Sequence, residues 1–305
     1  MTLSDLFRPL SVPAAFARYE SVRARLPQMP RQGDGLVLPD LSAVADHVDG
    51  FLLDAFGVLN VGGTAIPGAV ARIAALRAAG KRLCVLTNAA SYTRAGAVAK
   101  YRRLGFDFTA DEVVTSREVA AARLAAILPG GLWGAISAPE DDFHDIPARL
   151  ASVIDDPALF DRVEGFLFLS SVRWTPALQD RLARALTDRP RPLVVANPDL
   201  VAPTETGLSL EPGLFAHDLI DRLGVAVHWF GKPYPDAFDD AVARLGLARG
   251  RVAMVGDTLH TDVLGGAQAG MRSVLITGHG LFRGHDAKAA IAASGLHPDF
   301  VIPTT

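Results

Sequence analysis

The chain has one cysteine, Cys84, so no internal disulfide can staple it. Lysine is nearly as scarce, at positions 81, 100, 232 and 288 only, and most of the 30 basic residues are therefore arginine. Acidic residues number 33, leaving a formal net charge of −3 and no bulk attraction to nucleic acid or an anionic membrane surface. No apolar run reaches the roughly 20 residues of a membrane span. Residues 1–5 lack the basic stretch and apolar core of a signal peptide, which sets the expectation of a cytoplasmic protein. Internal repeats and low-complexity tracts are also missing. What is present is an ordinary globular composition, 50% apolar and 21% charged over 305 residues, enough for roughly two domains with a substantial core.

From Phe51 onward strands and helices alternate. Pro67 opens a helix with Val70, Ile73 and Leu76 on one face, and Gly80 closes it. A strand at 82–86, a helix at about 93–104 stopped by Gly105, and the run Val113-Val114-Thr115 follow. This rhythm predicts an α/β fold with a parallel sheet and helices on both faces. Between about Ser116 and Glu211 a second set of strands is expected at 132–136, 165–169 and 193–195, with the proline-rich run 189–192 as a turn between elements. From Pro212 the first rhythm resumes: a helix to Leu223, a strand at 227–230, a helix at 235–245, and strands at 252–255 and 273–276. Residues 14–26 are expected to form a helix with Phe16, Tyr19, Val22 and Leu26 on one face, as an arm packed on the core, or alternatively a contact in a homodimer or an ordered part of the cap interface. Cys84 falls mid-strand, where a buried, inert thiol is expected.

Several polar residues sit at the ends of these apolar runs. Phe51-Leu52-Leu53 ends in Asp54, followed by Ala55-Phe56-Gly57. A carboxylate at the C-terminal end of a parallel strand lies where open α/β sheets bind ligands, and Gly57 permits a sharp turn. Thr87-Asn88 follows the run 83–86, Lys232 lies in Gly231-Lys232-Pro233, and Gly256-Asp257-Thr258-Leu259-His260-Thr261-Asp262 follows the run 252–255. Taken in order, these four segments resemble the four motifs of the haloacid dehalogenase (HAD) superfamily. Asn197-Pro198-Asp199 with Pro203-Thr204 narrows the resemblance to class IIA, the C2-capped branch of the NagD-like, phosphoglycolate and pyridoxal phosphatases.

The resemblance implies a Rossmann-like core at residues 40–116 and 212–305, a C2 cap inserted at 117–211 and an N-terminal arm at 1–39. It also implies hydrolysis of a small phosphorylated metabolite. Asp54 would be the nucleophile, forming an aspartyl-phosphate. Asp54, Asp257 and the backbone carbonyl of Phe56 would hold Mg²⁺, with Asp262 in support. Lys232 and Thr87 would hold phosphoryl oxygens, helped by Asn88 and the backbone N–H groups near Ala55 and Phe56. His260 and the cap residues Asp141, Asp142, His144, Arg173 and Trp174 are further candidates for substrate contact.

Phe56 departs from the pattern. Class IIA phosphatases carry there an aspartate that protonates the leaving group, a contribution of about 10²–10⁴-fold in rate. Three readings stay open: a substrate with a good leaving group, a different acid such as His260 or a cap carboxylate, or a protein that binds a phosphometabolite and turns it over weakly. Asp-Ala-Phe-Gly also resembles the first motif of 2-haloacid dehalogenases. Against that reading stand the short span from Asp54 to Thr87 and the presence of Asp257. A phosphonatase would need a Schiff-base lysine in the cap, and no lysine lies between Lys100 and Lys232.

Overall fold

A computed structural model describes residues 3–305; Met1 and Thr2 of the expected arm lie outside the described residues. Seven parallel strands form the larger sheet, in the order Leu36–Val37, Phe300–Ile302, Arg272–Ile276, Val252–Gly256, Gly50–Leu53, Arg82–Thr87, Val113–Thr115. Phe51, Leu52 and Leu53 are fully buried, as a strand covered by helices on both faces requires. The chain leaves Gly50–Leu53 toward Arg82–Thr87 on one side and returns as Val252–Gly256 on the other. The ends of these three neighbouring strands carry Asp54, Thr87-Asn88 and Asp257, at the point where the strand order reverses.

Helix ends follow local chemistry. The Thr93 side chain accepts the Gly96 N–H and starts the helix Arg94–Arg103. Pro235 opens the helix Pro235–Leu245, and Gly246, at φ +60°, ends it. That helix buries Ala237, Phe238, Ala241 and Leu245 under the sheet, at helical spacing.

A second sheet of five parallel strands runs in the order Val227–Trp229, Leu193–Val195, Gly165–Phe168, Leu132–Ile136, Arg149–Ser152. It holds the three strands expected there and two others. Arg149–Ser152 is a new one, half-exposed and with little apolar signal. Val227–Trp229 was expected to return to the core with Pro212, and instead pairs with Leu193–Val195. The reason lies in the intervening helix. Pro212–Leu223 buries Leu214, Phe215 and Leu219 in one cluster with Phe168, Trp174, Leu182 and Leu186. A right-handed crossover through a helix so placed delivers the next strand to the same sheet. Two short hairpins complete the fold, Asn60–Val61 with Thr64–Ala65, and Val201–Pro203 with Leu208–Leu210.

The N-terminal arm does pack on the rest of the chain. Its helix runs Val12–Val22, with a 3₁₀ turn at Arg23–Arg25, and buries Tyr19 and Val22. Leu36–Val37 then adds an edge strand to the larger sheet.

Candidate active site

Asp54 leaves its strand with its backbone N–H donating to the Val255 carbonyl (2.9 Å), one residue beyond the regular ladder. Its Oδ1 accepts the Ala55 N–H (2.7 Å). The chain then turns through Gly57 at φ +76°, where an added Cβ would lie 2.6 Å from Asp257. Both the positive φ and the close approach therefore demand glycine, as the sharp turn suggested. Asp257 accepts from the Leu281 N–H (2.7 Å) and the Thr258 hydroxyl (2.9 Å). Asp262 accepts the Thr258 N–H, and the neighbouring Gly256 has no room for a Cβ beside it.

Lys232 joins these carboxylates. Its Nζ lies 2.6 Å from Asp54 Oδ1 and 2.7 Å from Asp262 Oδ1, with 1% of the residue exposed. Its backbone is gripped by Asn88, whose Oδ1 accepts the Lys232 N–H (2.7 Å) and whose Nδ2 donates to the Lys232 carbonyl (3.0 Å). Asn88 Nδ2 also donates to Asp199 (2.9 Å), tying the Asn197-Pro198-Asp199 turn to the core. One ligand atom each from Asp54, Asp257 and Asp262 lies within 4.8 Å of the others.

The electrostatics are those of a buried, over-acidic cluster. Burial, then the charges of Asp262 and Asp54, push Asp257 up to about 8. Asp262 is raised to about 6, chiefly by burial, with Lys232 opposing. Burial works to lower Lys232, and the carboxylates of Asp262, Asp54 and Asp199 outweigh it and hold the ammonium above its ordinary range. The three clustered carboxylates share one ammonium, which touches Asp54 and Asp262, a formal excess of two negative charges in a buried site.

A cavity of about 290 Å³ opens above this cluster, lined by Asp54, Phe56, Thr87, Asn88 and Asp257 among others. Lys232 and Asp262 lie fully buried beside it, and Ala55 is buried behind Asp54. His260 lies apart. It stacks on Tyr19 (4.7 Å between ring centres) and meets Glu20 (2.5 Å), and burial lowers its pKa to about 4. Asp141 is clamped by the buried Arg117 (2.6 Å), Asp142 and His144 pair with each other on the surface, and Arg173 pairs with Asp155. Trp174 lines a neighbouring cavity of about 360 Å³.

The cavity also contains residues that no sequence motif singles out. Tyr92 lines it, with a buried hydroxyl that has no partner among the described residues. Glu211 lines it from the other side. Outside the lining, Lys100 lies over the Phe56 ring, 4.3 Å from its centre, with its pKa lowered by burial to about 8. Locally, Glu211 reads as a helix cap before Pro212 and Lys100 as a mid-helix charge. Cys84 is buried at 1% exposure and burial pushes its thiol up to about 12, so it is inert as expected.

Residues 51–142 match the family described as haloacid dehalogenase-like hydrolase, and residues 229–304 match one described as HAD-hydrolase-like. A glycerol-3-phosphate phosphatase of Gallus gallus is 32% identical over 290 residues, covering 85% of this chain and 90% of that protein. Among solved structures, one from Cytophaga hutchinsonii, described as a possible sugar phosphatase of the HAD superfamily, superposes with a TM-score of 0.79 at 25% identity, covering 88% of this chain and 98% of that one. A glycerol phosphate phosphatase from Mycobacterium tuberculosis in complex with magnesium gives 0.64 at 28% identity, over 77% and 70% of the two chains. With three motifs at neighbouring strand ends and Lys232 brought beside them, two segments matching and a relative aligned over most of its length, the chain belongs to the haloacid dehalogenase-like hydrolases.

Proposed function

We propose that the protein is a Mg²⁺-dependent phosphatase of a small phosphorylated metabolite, acting through an aspartyl-phosphate on Asp54. The observation that carries this reading is the buried cluster itself. Asp54, Asp257 and Asp262 converge within 4.8 Å of one another beside a single ammonium that touches two of them, and an excess of two negative charges suits one divalent cation. An all-carboxylate donor set suits a hard cation, and the M. tuberculosis relative is described with magnesium. Asp54, Asp257 and the Phe56 backbone carbonyl would hold the ion, with Asp262 behind them; once bound, it would neutralise charge on the phosphoryl oxygens.

The chain's own groups divide the remaining work. The Asp54 carboxylate attacks phosphorus. Lys232, 2.6 Å away, fixes its orientation and offers positive charge to the phosphoryl group. Thr87, Asn88 and the N–H groups of Ala55 and Phe56 position the remaining oxygens. The second sheet, continued through Val227–Trp229, is the cap; the division between cap and core then falls near residues 117 and 230 rather than 212. The chicken relative is named for glycerol 3-phosphate, a small monoester of the class proposed.

The test is phosphate release from a panel of phosphorylated metabolites with Mg²⁺. EDTA is expected to abolish it, and Asp54→Asn to lower turnover by about 10³-fold or more while ligand still binds. Halide release from 2-haloacids that persists in EDTA would overturn the reading in favour of dehalogenation.

A further inference from the structure

The site as described has no group at position 56 to protonate a leaving oxygen. Five titratable side chains line the cavity above the cluster: Asp54, Tyr92, Asp199, Glu211 and Asp257. Asp54 and Asp257 belong to the carboxylate cluster. Asp199 is raised well above its ordinary range by burial, but its carboxyl is held by Asn88, which also grips Lys232, and it does not line the adjoining cavity that Glu211 shares. The Tyr92 phenol is raised to about 12, by burial first and then by the charges of Asp54 and Glu211. It can donate a hydrogen bond but is a poor carrier of a proton near neutrality. Glu211 is left.

Glu211 has a defined seat. Its two oxygens accept from Ser209 Oγ (2.6 Å) and Asn197 Nδ2 (3.0 Å). Both partners line the same cavity. The residue stands at the threshold between two spaces, because Ser91, Ser170, Ser209 and Glu211 line both the 290 Å³ cavity over Asp54 and the adjoining 360 Å³ cavity. The far walls of the second cavity are apolar: Phe7, Val172, Trp174, Leu210 and Phe215. No lysine, arginine or histidine lines either space among the described residues.

Resting on the phosphatase reading above, we propose that Glu211 is the acid that protonates the leaving group, and that the leaving group occupies the second cavity. The substrate class is then a phosphate monoester of an uncharged alcohol with an apolar or aromatic body. A leaving group carrying a second phosphate or a carboxylate would find no cation there. In the first half-reaction a bond forms between Asp54 and phosphorus as the bond from phosphorus to the ester oxygen breaks. The Glu211 proton passes to that oxygen, releasing neutral alcohol and leaving the Glu211 carboxylate. In the second, the carboxylate takes a proton from water as its oxygen attacks the phospho-aspartate, which restores acid and nucleophile and frees phosphate.

Burial raises Glu211 to about 7, against the hydrogen bonds from Ser209 and Asn197, so the acid form is well populated at neutral pH. The groups facing it are Ser209 and Asn197 on its own side, Tyr92 from the core, and Asp54, Asp199 and Asp257 across the cavity. On the helix that Glu211 precedes, His217 stacks on Trp229 and Asp218 bonds Gln179 and Arg222.

The experiment compares 2-phenylethyl phosphate, 3-phosphoglycerate and 4-nitrophenyl phosphate as substrates of the full chain with Mg²⁺. Wild type is expected to favour 2-phenylethyl phosphate over 3-phosphoglycerate at least about 10-fold in kcat/KM. Glu211→Gln should lose about 10²-fold on 2-phenylethyl phosphate and roughly 10-fold less on 4-nitrophenyl phosphate, whose leaving group needs little proton help. The fall of kcat/KM above neutral pH should disappear in the same variant. Ser209→Ala, which removes a bond that favours the ionised form, should move that fall to higher pH in a protein that keeps its acid. Equal losses on both leaving groups, an alkaline fall that survives Glu211→Gln, or one unmoved by Ser209→Ala would each overturn the assignment. A wild type that cleaves 4-nitrophenyl phosphate keeps the phosphatase reading intact through those failures; one that cleaves nothing removes both.

Discussion

Lys232 is the residue on which the site's electrostatics turn. Its ammonium compensates one of three buried carboxylates, and the rest of the strain shows as the upward shifts of Asp257 and Asp262. These shifts make a stability prediction. A carboxyl raised in the folded state contributes stability that is fully present below its unfolded value, roughly 4, and is lost as pH rises through its folded value. For Asp262 and Asp257 the loss runs through about 6 and then about 8. Lys232, raised as well, loses its contribution only at strongly alkaline pH. Metal-free protein in EDTA should therefore show a falling urea midpoint from pH 5 to 9, and Mg²⁺ should flatten the fall. Asp257→Asn, neutral throughout, should fall less without metal. An EDTA-treated wild type as stable at pH 9 as at pH 5 would show that the cluster is not under this strain. Asp54, Thr87, Asn88, Lys232, Asp257 and Asp262 were readable in the chain because each sits at a strand end or in a short motif, so local sequence encodes both neighbour and position. Glu211 was not, because it reaches the cavity through tertiary folding from a place where a charged residue has an ordinary local role; nor was Lys100, which meets the Phe56 ring without lining the cavity.

At the scale of elements, strands and helices were legible from apolar periodicity, and partners were not. Val227–Trp229 reads as a strand in the chain, yet which sheet it joins depends on where the helix Pro212–Leu223 packs. Leu36–Val37 is exposed and two residues long, so it has no periodicity to detect. The N-terminal helix was legible through Tyr19 and Val22, but its target was hidden in the fold. Tyr19 stacks on His260 in the motif that carries Asp257 and Asp262, and its hydroxyl accepts the Leu200 N–H beside Asp199. Arg18 and Arg25 both pair with Asp221 on the helix Pro212–Leu223. The helix thus braces the larger sheet's last motif against the second sheet. Tyr19→Phe keeps the stacking and leaves the buried Leu200 N–H without its acceptor, a cost of about 1–3 kcal/mol. Urea unfolding should register that loss, and amide exchange at Leu200 should quicken. Unchanged exchange at Leu200 would mean that the brace acts through ring packing alone.

At the scale of the whole molecule, the cavity closes where two hairpins from different sheets meet. Val201–Pro203 and Leu208–Leu210 flank a loop whose Glu205 accepts the Gly63 N–H (2.6 Å) in the turn of the hairpin formed by Asn60–Val61 and Thr64–Ala65. Gly62 lies so near that a Cβ there would sit 2.0 Å from the Glu205 carboxylate. The same stretches supply Gly62, Val201, Ala202, Pro203 and Thr204 to the cavity wall, so this contact spans its mouth. A single charge-assisted bond at an exposed position is largely screened by solvent and adds little. That is too little to hold the fold and enough to bias an opening motion. If opening for product release limits turnover, Glu205→Ala should raise kcat by about 2–5-fold and raise KM with it, since a weaker latch also retains substrate less well. The urea midpoint should move little. Rapid chemical quench, which counts phosphate still held by the enzyme, separates the alternatives: a burst in wild type that shrinks in Glu205→Ala fits release through this mouth, and no burst in either protein means that chemistry, not opening, sets the rate.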